Sequence, residues 1–499
     1  MLSAKLPNTT INGAESIPAG TYQPPGSATA FTDLPAFCRV TATVSPVPGS
    51  SIGIEVWLPT GTWNGKYQQS GSHGFGGTFY WNEMVPQIQR GYATGITNDG
   101  HGGPGGFNVS WAFGDPEAVT DFAYRAVHEL AEKAKLLIKA YYGRPQSYAY
   151  FNGCSNGGRQ GLKSVQIFPA DLDGVIIGGA ASGFTHAATE QLVVSINLQN
   201  SDIQGTSGAA ILTLAQNATT AVCHGAVDSV IDDPRRCHWN PFQLVCKPGQ
   251  DPSTCITTAQ ASALKANEAT LLDPVSGRYV FSGMSPGSEF DQIRFGYEDG
   301  LAPFGLATYQ LGLNDPTWDG STFNLHTDLP VLDQALDNIN AIESDLTAFK
   351  ELGGKLIEWH GWDDAAFTPG WTVKYYGQVV EKTGRGELRD VQDFYRLFMM
   401  PGVGHCGTGV GPDDIGGEDQ TAVSHDPEYD IVSALEAWVE DGVAPLELIA
   451  TGFNVVDVPS SGIYQQRPIC PYPSEGKYKG VGDPLLATSW FCAQAVPPR

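Results

Sequence analysis

A five-residue pattern, "GCSNG" at residues 153–157, constrains this chain more than any other feature. Sequence typical of a β-strand precedes it, and helix-compatible sequence begins near Gly158. A G-x-S-x-G pattern between a strand and a helix is typical of a tight turn that presents a nucleophilic serine. We interpret Ser155 as that nucleophile and the backbone N–H of Asn156 as an oxyanion donor. The alternative interpretation is a structural serine in a glycine-rich turn.

The order of predicted elements indicates an α/β fold. Strand-like segments "CRVTATVSPV" and "SIGIEVWLP" come first, and a long helix is predicted from Pro116, capped by Asp115, to Gly143. The strand "DLDGVIIGGAA" follows the serine segment. A helix over residues 338–354, the strands "KLIEWHG" and "DFYRLFMMPG" and the helix "DIVSALEAWVEDG" come later. Such alternation predicts a mostly parallel sheet.

The middle of the chain differs in character from both ends. Four cysteines fall between residues 223 and 255, and aromatic segments such as "FDQIRFGYEDG" follow them. We interpret residues 196–329 as an inserted lid domain. Residues 1–195 and 330–499 then form the catalytic domain.

A serine hydroxyl needs a base to become a nucleophile, and in α/β hydrolases the chain order is serine, acid, histidine. His405 lies in a glycine-rich loop directly after the strand "YRLFMM". Asp363 and Asp364 follow the preceding strand, "KLIEWHG". The order predicts His405 as the base, and on this reasoning either aspartate can be the orienting acid.

Two cysteines adjoin the predicted nucleophile and base. Cys154 precedes Ser155, and Cys406 follows His405. If the serine and the histidine face each other, their neighbours can lie near the Cα separation of about 5.5 Å that a disulfide needs. We therefore predict a Cys154–Cys406 bridge; the alternative is two ordinary buried cysteines.

Composition narrows the partners and the compartment. A formal net charge of −25 argues against nucleic acid and anionic membranes as partners, and no apolar run reaches the roughly 18 residues of a transmembrane helix. The nine cysteines include no C-x-x-C pair, which disfavours structural zinc. Together with N-x-S/T sequons at Asn8, Asn108 and Asn217, they predict a secreted glycoprotein, although the first residues lack a signal-peptide core.

Several segments together resemble the tannase and feruloyl esterase family, whose pattern combines a Cys-Ser pair, an Asp and a His-Cys pair. They include "FCRVTATV", "GCSNGGRQG", "HGWDD", "MPGVGHCG" and "RPICPYP", and they run through nearly the whole chain. The resemblance implies an α/β-hydrolase fold with a mostly parallel central sheet and a large inserted lid. It also implies hydrolysis of esters of aromatic acids such as gallate or hydroxycinnamates, from plant cell walls or polyphenols.

The resemblance assigns roles to residues that match the family pattern. The nucleophile, acid and base are Ser155, Asp364 and His405. The acid is the residue four positions after His360, with Asp363 as the alternative. The second oxyanion donor is the backbone N–H of His73 or Gly74, in the loop "GSHGFGG".

The resemblance also implies disulfides and a metal site. The pairings are Cys154–Cys406, Cys223–Cys237, Cys246–Cys255 and Cys470–Cys492, which leave Cys38 without a partner. The lid loop "CHGAVDSVIDDPRRC" corresponds to a calcium-binding loop but looks shortened, with His224 where an aspartate is expected. A structural calcium ion would use Asp228 and the carbonyls of Ala226 and Val230; the alternative is a solvated acidic loop. No cofactor is expected for the chemistry.

Three other functions compete with ester hydrolysis. An acyltransferase would use the same triad with an alcohol in place of water. A hydrolase fold without activity would serve as a binding protein, although Ser155, Asp364 and His405 argue against it. A metallohydrolase is the least supported because no cluster has ligand spacing.

Overall fold

The computed structural model describes residues 5–223, 228–418 and 420–494. The chain divides into two units. The first comprises Met1–Ser182, Asn338–Leu356 and Val439–Asp441, and the second comprises Gly183–Asp337, Ile357–Trp438 and Gly442–Arg499. The predicted lid, residues 196–329, falls within the second unit, and its limits stay a prediction.

The first unit begins with short strands and continues with alternating strands and helices. Its elements are β1 (Thr9–Ile17), β2 (Gly20–Tyr22), β3 (Phe31–Leu34), β4 (Phe37–Val44), β5 (Ile52–Pro59), β6 (Tyr67–Ser70), α1 (Val85–Gln89), β7 (Ala93–Thr97), α2 (Pro116–Thr120), α3 (Ala126–Tyr142), β8 (Ala149–Cys154), α4 (Asn156–Ile167) and β9 (Gly174–Gly178).

The main sheet of this unit is mixed. Its strand order is β1-β4-β5-β7-β6-β8-β9. The pairs among β7, β6, β8 and β9 are parallel, as predicted, and every residue of β8 and β9 is buried, as is usual for parallel strands covered on both faces. The pairs β1–β4, β4–β5 and β5–β7 are antiparallel. A short turn joins β4 directly to β5 as a hairpin, which makes that pair antiparallel.

The long helix predicted from Pro116 forms with its expected ends. The Asp115 side chain accepts a hydrogen bond from the Ala118 N–H, and Gly143 ends the helix in the left-handed conformation. A π-helical turn over Asp121–Arg125 interrupts the helix between α2 and α3. Hydrophobic periodicity cannot reveal this turn, because apolar residues continue through it at helical spacing.

The second unit contains most of the remaining elements. They are α5 (Phe184–Gln199), α6 (Gly205–Cys223), α7 (Thr258–Glu268), β10 (Leu271–Leu272), β11 (Tyr279–Phe281), α8 (Glu289–Arg294), α9 (Pro303–Leu313) and α10 (Leu325–Ala335), then α11 (Thr347–Glu351) in the first unit, then β12 (Lys355–Gly361), α12 (Pro369–Lys382), α13 (Leu388–Gln392), β13 (Tyr395–Met400), α14 (Ile431–Asp441), β14 (Leu448–Phe453), β15 (Ile463–Ile469), β16 (Ser474–Tyr478) and β17 (Trp490–Gln494).

The second unit packs around a core of its own, in which Leu198, Leu212, Leu264 and Tyr297 are buried together. Disulfides join Cys223 to Cys237, Cys246 to Cys255 and Cys470 to Cys492, the pairings that the resemblance implies. Within this unit β12 lies beside β13. Among the described residues there is no helix with the length and apolar character of a membrane span.

The helix predicted over residues 338–354 is wrong for its first half, since α11 begins only at Thr347. The carbonyl oxygen of Ile339 accepts a hydrogen bond from Arg159 at 3.2 Å. The carbonyl oxygen of Asn340 accepts from Lys163 at 2.7 Å. Acceptors that a first helical turn would use are therefore bonded to α4, so tertiary contacts override the local preference.

Candidate active site

Ser155 occupies the turn between β8 and α4 in a strained conformation, with φ 61° and ψ −122°. Residues with a side chain rarely adopt such angles, which cost about 1–3 kcal/mol. The Ser155 N–H donates to Gly178 at 2.9 Å, and its carbonyl accepts from Ala181 at 3.1 Å. Within this unit the hydroxyl is engaged in no hydrogen bond with a described residue. The geometry is that of the nucleophile turn that the pattern predicts.

Two glycines allow the surrounding backbone to approach this turn. A Cβ on Gly153 would lie 2.7 Å from the carbonyl carbon of Gly157, and a Cβ on Gly71 would lie 2.5 Å from the Gly157 Cα. Side chains at either position would collide with the first turn of α4. The glycine-rich loop at residues 71–77 therefore packs directly on the nucleophile turn.

Polar side chains fasten that loop to α4. The Ser72 N–H donates to Gln160 Oε1 at 3.0 Å, and the Ser72 hydroxyl donates to Asp99 Oδ2 at 2.5 Å. Asn156 Nδ2 donates to the Ser72 hydroxyl at 2.9 Å. Gln160 Nε2 donates to Asp99 Oδ1 at 2.8 Å. These bonds fix the loop against the helix start, so the predicted oxyanion donors lie on a rigid frame.

The candidate oxyanion donors lie at the start of α4 and in the loop of residues 71–77. The backbone N–H groups of Asn156 and Gly74 have no hydrogen-bond acceptor among the described residues. The ring of His73 lies 3.2 Å from Glu83, measured from Nε2 to Oε1. Both free N–H groups can therefore serve an anion, and their role as an oxyanion hole stays a prediction.

A buried arginine holds the start of α4. Arg159 Nε donates to Asn156 Oδ1 at 2.7 Å. Its Nη atoms donate to the carbonyl oxygens of Ala123, at 2.7 Å, and Phe122, at 3.1 Å, both in the π-helical turn. Burial lowers the pKa of Arg159 to about 10, and the nearby Asp99 charge opposes that shift. No sequence pattern singles out this residue, because a lone arginine after the nucleophile turn has many uses.

The second unit brings the predicted base and one predicted acid together. Asp364 follows β12, and His405 follows β13. His405 Nδ1 lies 2.9 Å from Asp364 Oδ2, and both side chains are buried. Because a carboxylate can only accept here, Nδ1 carries the proton and Nε2 is left as the basic nitrogen.

His360 is a second partner of the Asp364 carboxylate. His360 Nε2 lies 3.1 Å from Asp364 Oδ2, and the Phe367 N–H donates to Oδ1 at 2.8 Å. Burial acts to raise the pKa of Asp364, but the charge of His405 and the hydrogen bonds from both histidines outweigh it and hold that pKa below its usual range. Asp364 is therefore an ionised carboxylate suited to orient a histidine.

Asp363 occupies a different environment from Asp364. Its N–H donates to Val403 at 2.9 Å, and its Oδ1 has no hydrogen-bond partner among the described residues. Burial raises the pKa of Asp363 well above its usual value, and the charges of Glu289 and Asp291 add to the shift. Of the two candidate acids, Asp364 is the one in contact with the base.

Sequence reasoning missed two residues that hold the base loop. Asp291 Oδ2 accepts hydrogen bonds from the N–H groups of His405, at 3.3 Å, and Ala365, at 2.8 Å. Arg294 Nη1 donates to the His405 carbonyl at 2.8 Å. The one available signal was an acid and an arginine three residues apart in "FDQIRFGYEDG", which is common on any helix.

The predicted calcium ligands are Asp228, Val230 and Ala226, of which Ala226 lies outside the described residues. Asp228 Oδ1 accepts from the Val230 N–H, and Oδ2 accepts from Gln465 and Arg467, each at 3.2 Å. Calcium needs six to eight oxygen ligands, whereas a guanidinium offers only N–H donors. The described side chains therefore do not fit the ion, and no step of the chemistry depends on it.

Comparisons with known proteins give matches that extend over nearly the whole chain. The family model "Tannase and feruloyl esterase" matches residues 38–308 and 309–493. An uncharacterized esterase of Xanthomonas campestris is 33% identical, over 99% of this chain and 91% of that protein. A probable feruloyl esterase B-2 of Aspergillus terreus is 32% identical, over 98% and 93%. The crystal structure of feruloyl esterase B from Aspergillus oryzae aligns with a TM-score of 0.90 at 28% identity, covering 98% of each chain.

Fold and comparisons together define the chain as a carboxylic ester hydrolase, and they confirm the predicted α/β-hydrolase fold. The chain belongs to the tannase and feruloyl esterase family.

The carboxyl group of Asp99 predicts a pH dependence of stability. Burial raises its pKa from 3.8 to about 6, against the hydrogen bond from Ser72. The folded protein then binds this proton more tightly than the unfolded chain, so the stabilisation is present below pH 3.8 and is lost as the pH rises to about 6. Asp99→Asn loses one acceptor at every pH because its Nδ2 cannot accept a hydrogen bond, but its stability relative to the wild type should rise by up to about 3 kcal/mol from the acid end to neutral pH. Thermal unfolding across this range measures the difference, and an advantage independent of pH would contradict the assignment.

The contacts of Asp228 predict that calcium does not stabilise this protein. We expect a chelator to leave the melting temperature unchanged and elemental analysis to find no bound calcium. Arg467→Gln should cost about 3–5 kcal/mol because it strands the buried carboxylate of Asp228. Arg236→Gln is the comparison variant: it loses a partly exposed pair with Glu475, while Asp233 keeps its pair with Arg235, and it should cost about 1 kcal/mol or less. A fall in melting temperature on chelation of the wild type would overturn the prediction.

Proposed function

We propose that this chain is a secreted serine esterase that hydrolyses esters of aromatic acids of the hydroxycinnamic or gallic type. Its triad consists of Ser155, His405 and Asp364. Family membership supports ester hydrolysis, and the similarity to feruloyl esterases of Aspergillus supports a feruloyl-type acyl group. The contact of 2.9 Å between His405 and Asp364 carries the assignment, because it supplies an oriented base for a serine that already occupies a nucleophile turn.

In the first half of the reaction, His405 Nε2 takes the proton of the Ser155 hydroxyl. The serine oxygen attacks the ester carbonyl carbon and forms a tetrahedral intermediate. Asp364 stabilises the imidazolium that results. The N–H groups of Asn156 and of Gly74, or of His73 in its place, donate to the oxyanion, and the positive end of the α4 dipole adds to this stabilisation.

In the second half, the imidazolium of His405 gives its proton to the leaving alcohol, and the carbon–oxygen bond to that alcohol breaks. The acyl group is then held on Ser155 as an ester. His405 next takes a proton from water, whose oxygen attacks the acyl carbon. Collapse of this second intermediate releases the aromatic acid and returns the proton to Ser155.

A bridge between Cys154 and Cys406 belongs to the same proposal. Both cysteines are disulfide-bonded, and Cys38 has a free thiol. The remaining bonded cysteines pair among themselves. A bridge directly beside Ser155 and His405 would limit drift between nucleophile and base, to which reaction rates are sensitive.

Secretion and glycosylation are supported by the disulfides and by the exposure of the sequon asparagines. Disulfides persist in oxidising compartments and are rare in the cytosol. The side chains of Asn8, Asn108 and Asn217, the three sequon asparagines, are all exposed. An oligosaccharide could therefore be attached at each without disturbing a core.

The proposed function predicts a specific loss on removal of the nucleophile. The purified protein should hydrolyse at least one ester among methyl ferulate, methyl caffeate, methyl gallate and chlorogenate, assayed side by side. Ser155→Ala should lower kcat by about 10⁴-fold or more while the melting temperature stays near that of the wild type. A serine-reactive phosphonate should label Ser155 in the wild type. Full activity in Ser155→Ala would refute the proposal, and ester exchange with added alcohol in place of hydrolysis would point to an acyltransferase.

The acid can be assigned by two neighbouring substitutions. Asp364→Asn should lower kcat by about 10⁴-fold, because an amide no longer holds His405 in the required tautomer. Asp363→Asn should retain most of the activity, since Asp363 bonds to the backbone at Val403 and not to the base. Both variants are measured for kcat and KM with the same ester. The reverse order of effects would assign the acid to Asp363.

A further inference from the structure

A single buried carboxylate oxygen bridges the loops that carry the proposed acid and base. Asp291 lies in α8 and has 6% of its surface exposed. Its Oδ2 accepts from the N–H of Ala365 at 2.8 Å and from the N–H of His405 at 3.3 Å. Ala365 directly follows the proposed acid. One side chain of α8 therefore ties the two loops together, in addition to the direct main-chain bond from the Asp363 N–H to the Val403 carbonyl at 2.9 Å.

The arginine one helical turn further along completes this contact. Arg294 Nη1 donates to the His405 carbonyl at 2.8 Å and to Thr408 Oγ1 at 3.0 Å. The same Nη1 lies 3.3 Å from Asp291 Oδ1. The peptide groups on both sides of His405 are thus held by two charged side chains of α8. Such charge-assisted hydrogen bonds are about twice as strong as neutral ones.

Apart from α8, the base loop is held by short-range bonds: the Gly404 N–H donates to the Thr408 carbonyl at 3.0 Å, and the Thr408 N–H donates to Asp413 Oδ2 at 2.6 Å. His405 lies outside any helix or strand, and the two nearby residues Cys406 and Thr408 have positive φ angles of 56° and 70°. Gly404 leaves room for the carboxylate, because a Cβ there would lie 2.8 Å from Asp291 Oδ1. Loops of this kind keep a fixed shape only where side chains satisfy their backbone groups.

We propose that Asp291 and Arg294 are positioning residues for the catalytic base, so that α8 of the predicted lid sets the geometry of the acid–base pair. The inference rests on the proposed function. Neither residue acts on the reacting atoms in the proposed mechanism, and both act through the main chain of His405. Burial and the Asp364 charge raise the pKa of Asp291, and the hydrogen bond from the Ala365 N–H and the charges of His405 and Arg294 act against that rise.

Kinetics of matched variants test the proposal. A misplacement of about 1 Å at a catalytic group can cost about 10²-fold in rate. Asp291→Ala should therefore lower kcat by about 10- to 100-fold with KM changed by less than about threefold. Asp291→Asn should restore most of the rate, because its amide oxygen can still accept from both N–H groups. Arg294→Ala, at a half-exposed site that the fold tolerates, should lower kcat in the same way.

A substitution elsewhere in the same segment provides the control. Asp299→Asn removes an exposed carboxylate from the same segment and should behave as wild type. All rates are expressed per site titrated with the phosphonate, which corrects for misfolded enzyme. A wild-type kcat in both Asp291→Ala and Arg294→Ala would overturn the proposal. So would a loss confined to KM, or an Asp291→Asn variant as slow as Asp291→Ala.

Hydrogen exchange separates this proposal from the proposed function. The peptide that carries His405 should exchange faster in Asp291→Ala than in Asp299→Asn, because the N–H loses its acceptor. This readout needs no ester turnover. A wild type inactive on every ester would refute the proposed function, whereas unchanged exchange in Asp291→Ala would refute the positioning role.

Discussion

The nucleophile turn depends on a guanidinium that has no contact with water. Arg159 is fully buried, and it donates to the Asn156 side chain and to carbonyl oxygens in the π-helical turn and in the segment 338–341. Removing such a charge from water costs several kcal/mol, which only a full set of hydrogen bonds offsets. Here Nε and both Nη nitrogens of Arg159 have acceptors. The strain at Ser155 is tolerated because the first turn of α4 is held in this way.

In the second unit, a carboxylate rather than a guanidinium holds the loops of the proposed acid and base. The loops after β12 and β13 present N–H groups that no strand or helix satisfies, and Asp291 accepts two of them. Asp364, which directly precedes Ala365 in the sequence, remains ionised because two histidines surround its carboxylate. Two carboxylates therefore lie near one base without competing for its proton. One bonds the backbone of His405, and the other bonds its ring.

The strands that precede Ser155, Asp364 and His405 could be predicted because they rest on local pattern, and they form where hydrophobic runs indicated them. Chain order predicted His405 as the base, and that role stays a prediction. The choice between Asp363 and Asp364 needed side-chain contacts or the family likeness. The π-helical turn, the extended start of the segment 338–354 and the role of Asp291 could not be predicted. Each depends on contacts with residues far away in the sequence, and hydrophobic periodicity carries no information about such contacts.

Buried arginines neutralise carboxylates at several places in this chain, which has 53 acidic and only 28 basic residues. Arg39 makes a bidentate pair with Glu55 at 2.7 and 2.8 Å, where two antiparallel strands would otherwise bury a lone carboxylate. Arg467, 1% exposed, bonds Asp228 and Asp232 and stacks 4.1 Å from the Trp490 ring. An arginine side chain is planar and permanently charged, and its five N–H donors can bond several oxygen atoms at once. A calcium ion needs six to eight oxygen ligands to bind in the same place. Arg467 of β15 thus bonds the carboxylates of the described part of the lid loop, and this contact is the basis of the prediction that calcium does not stabilise the protein.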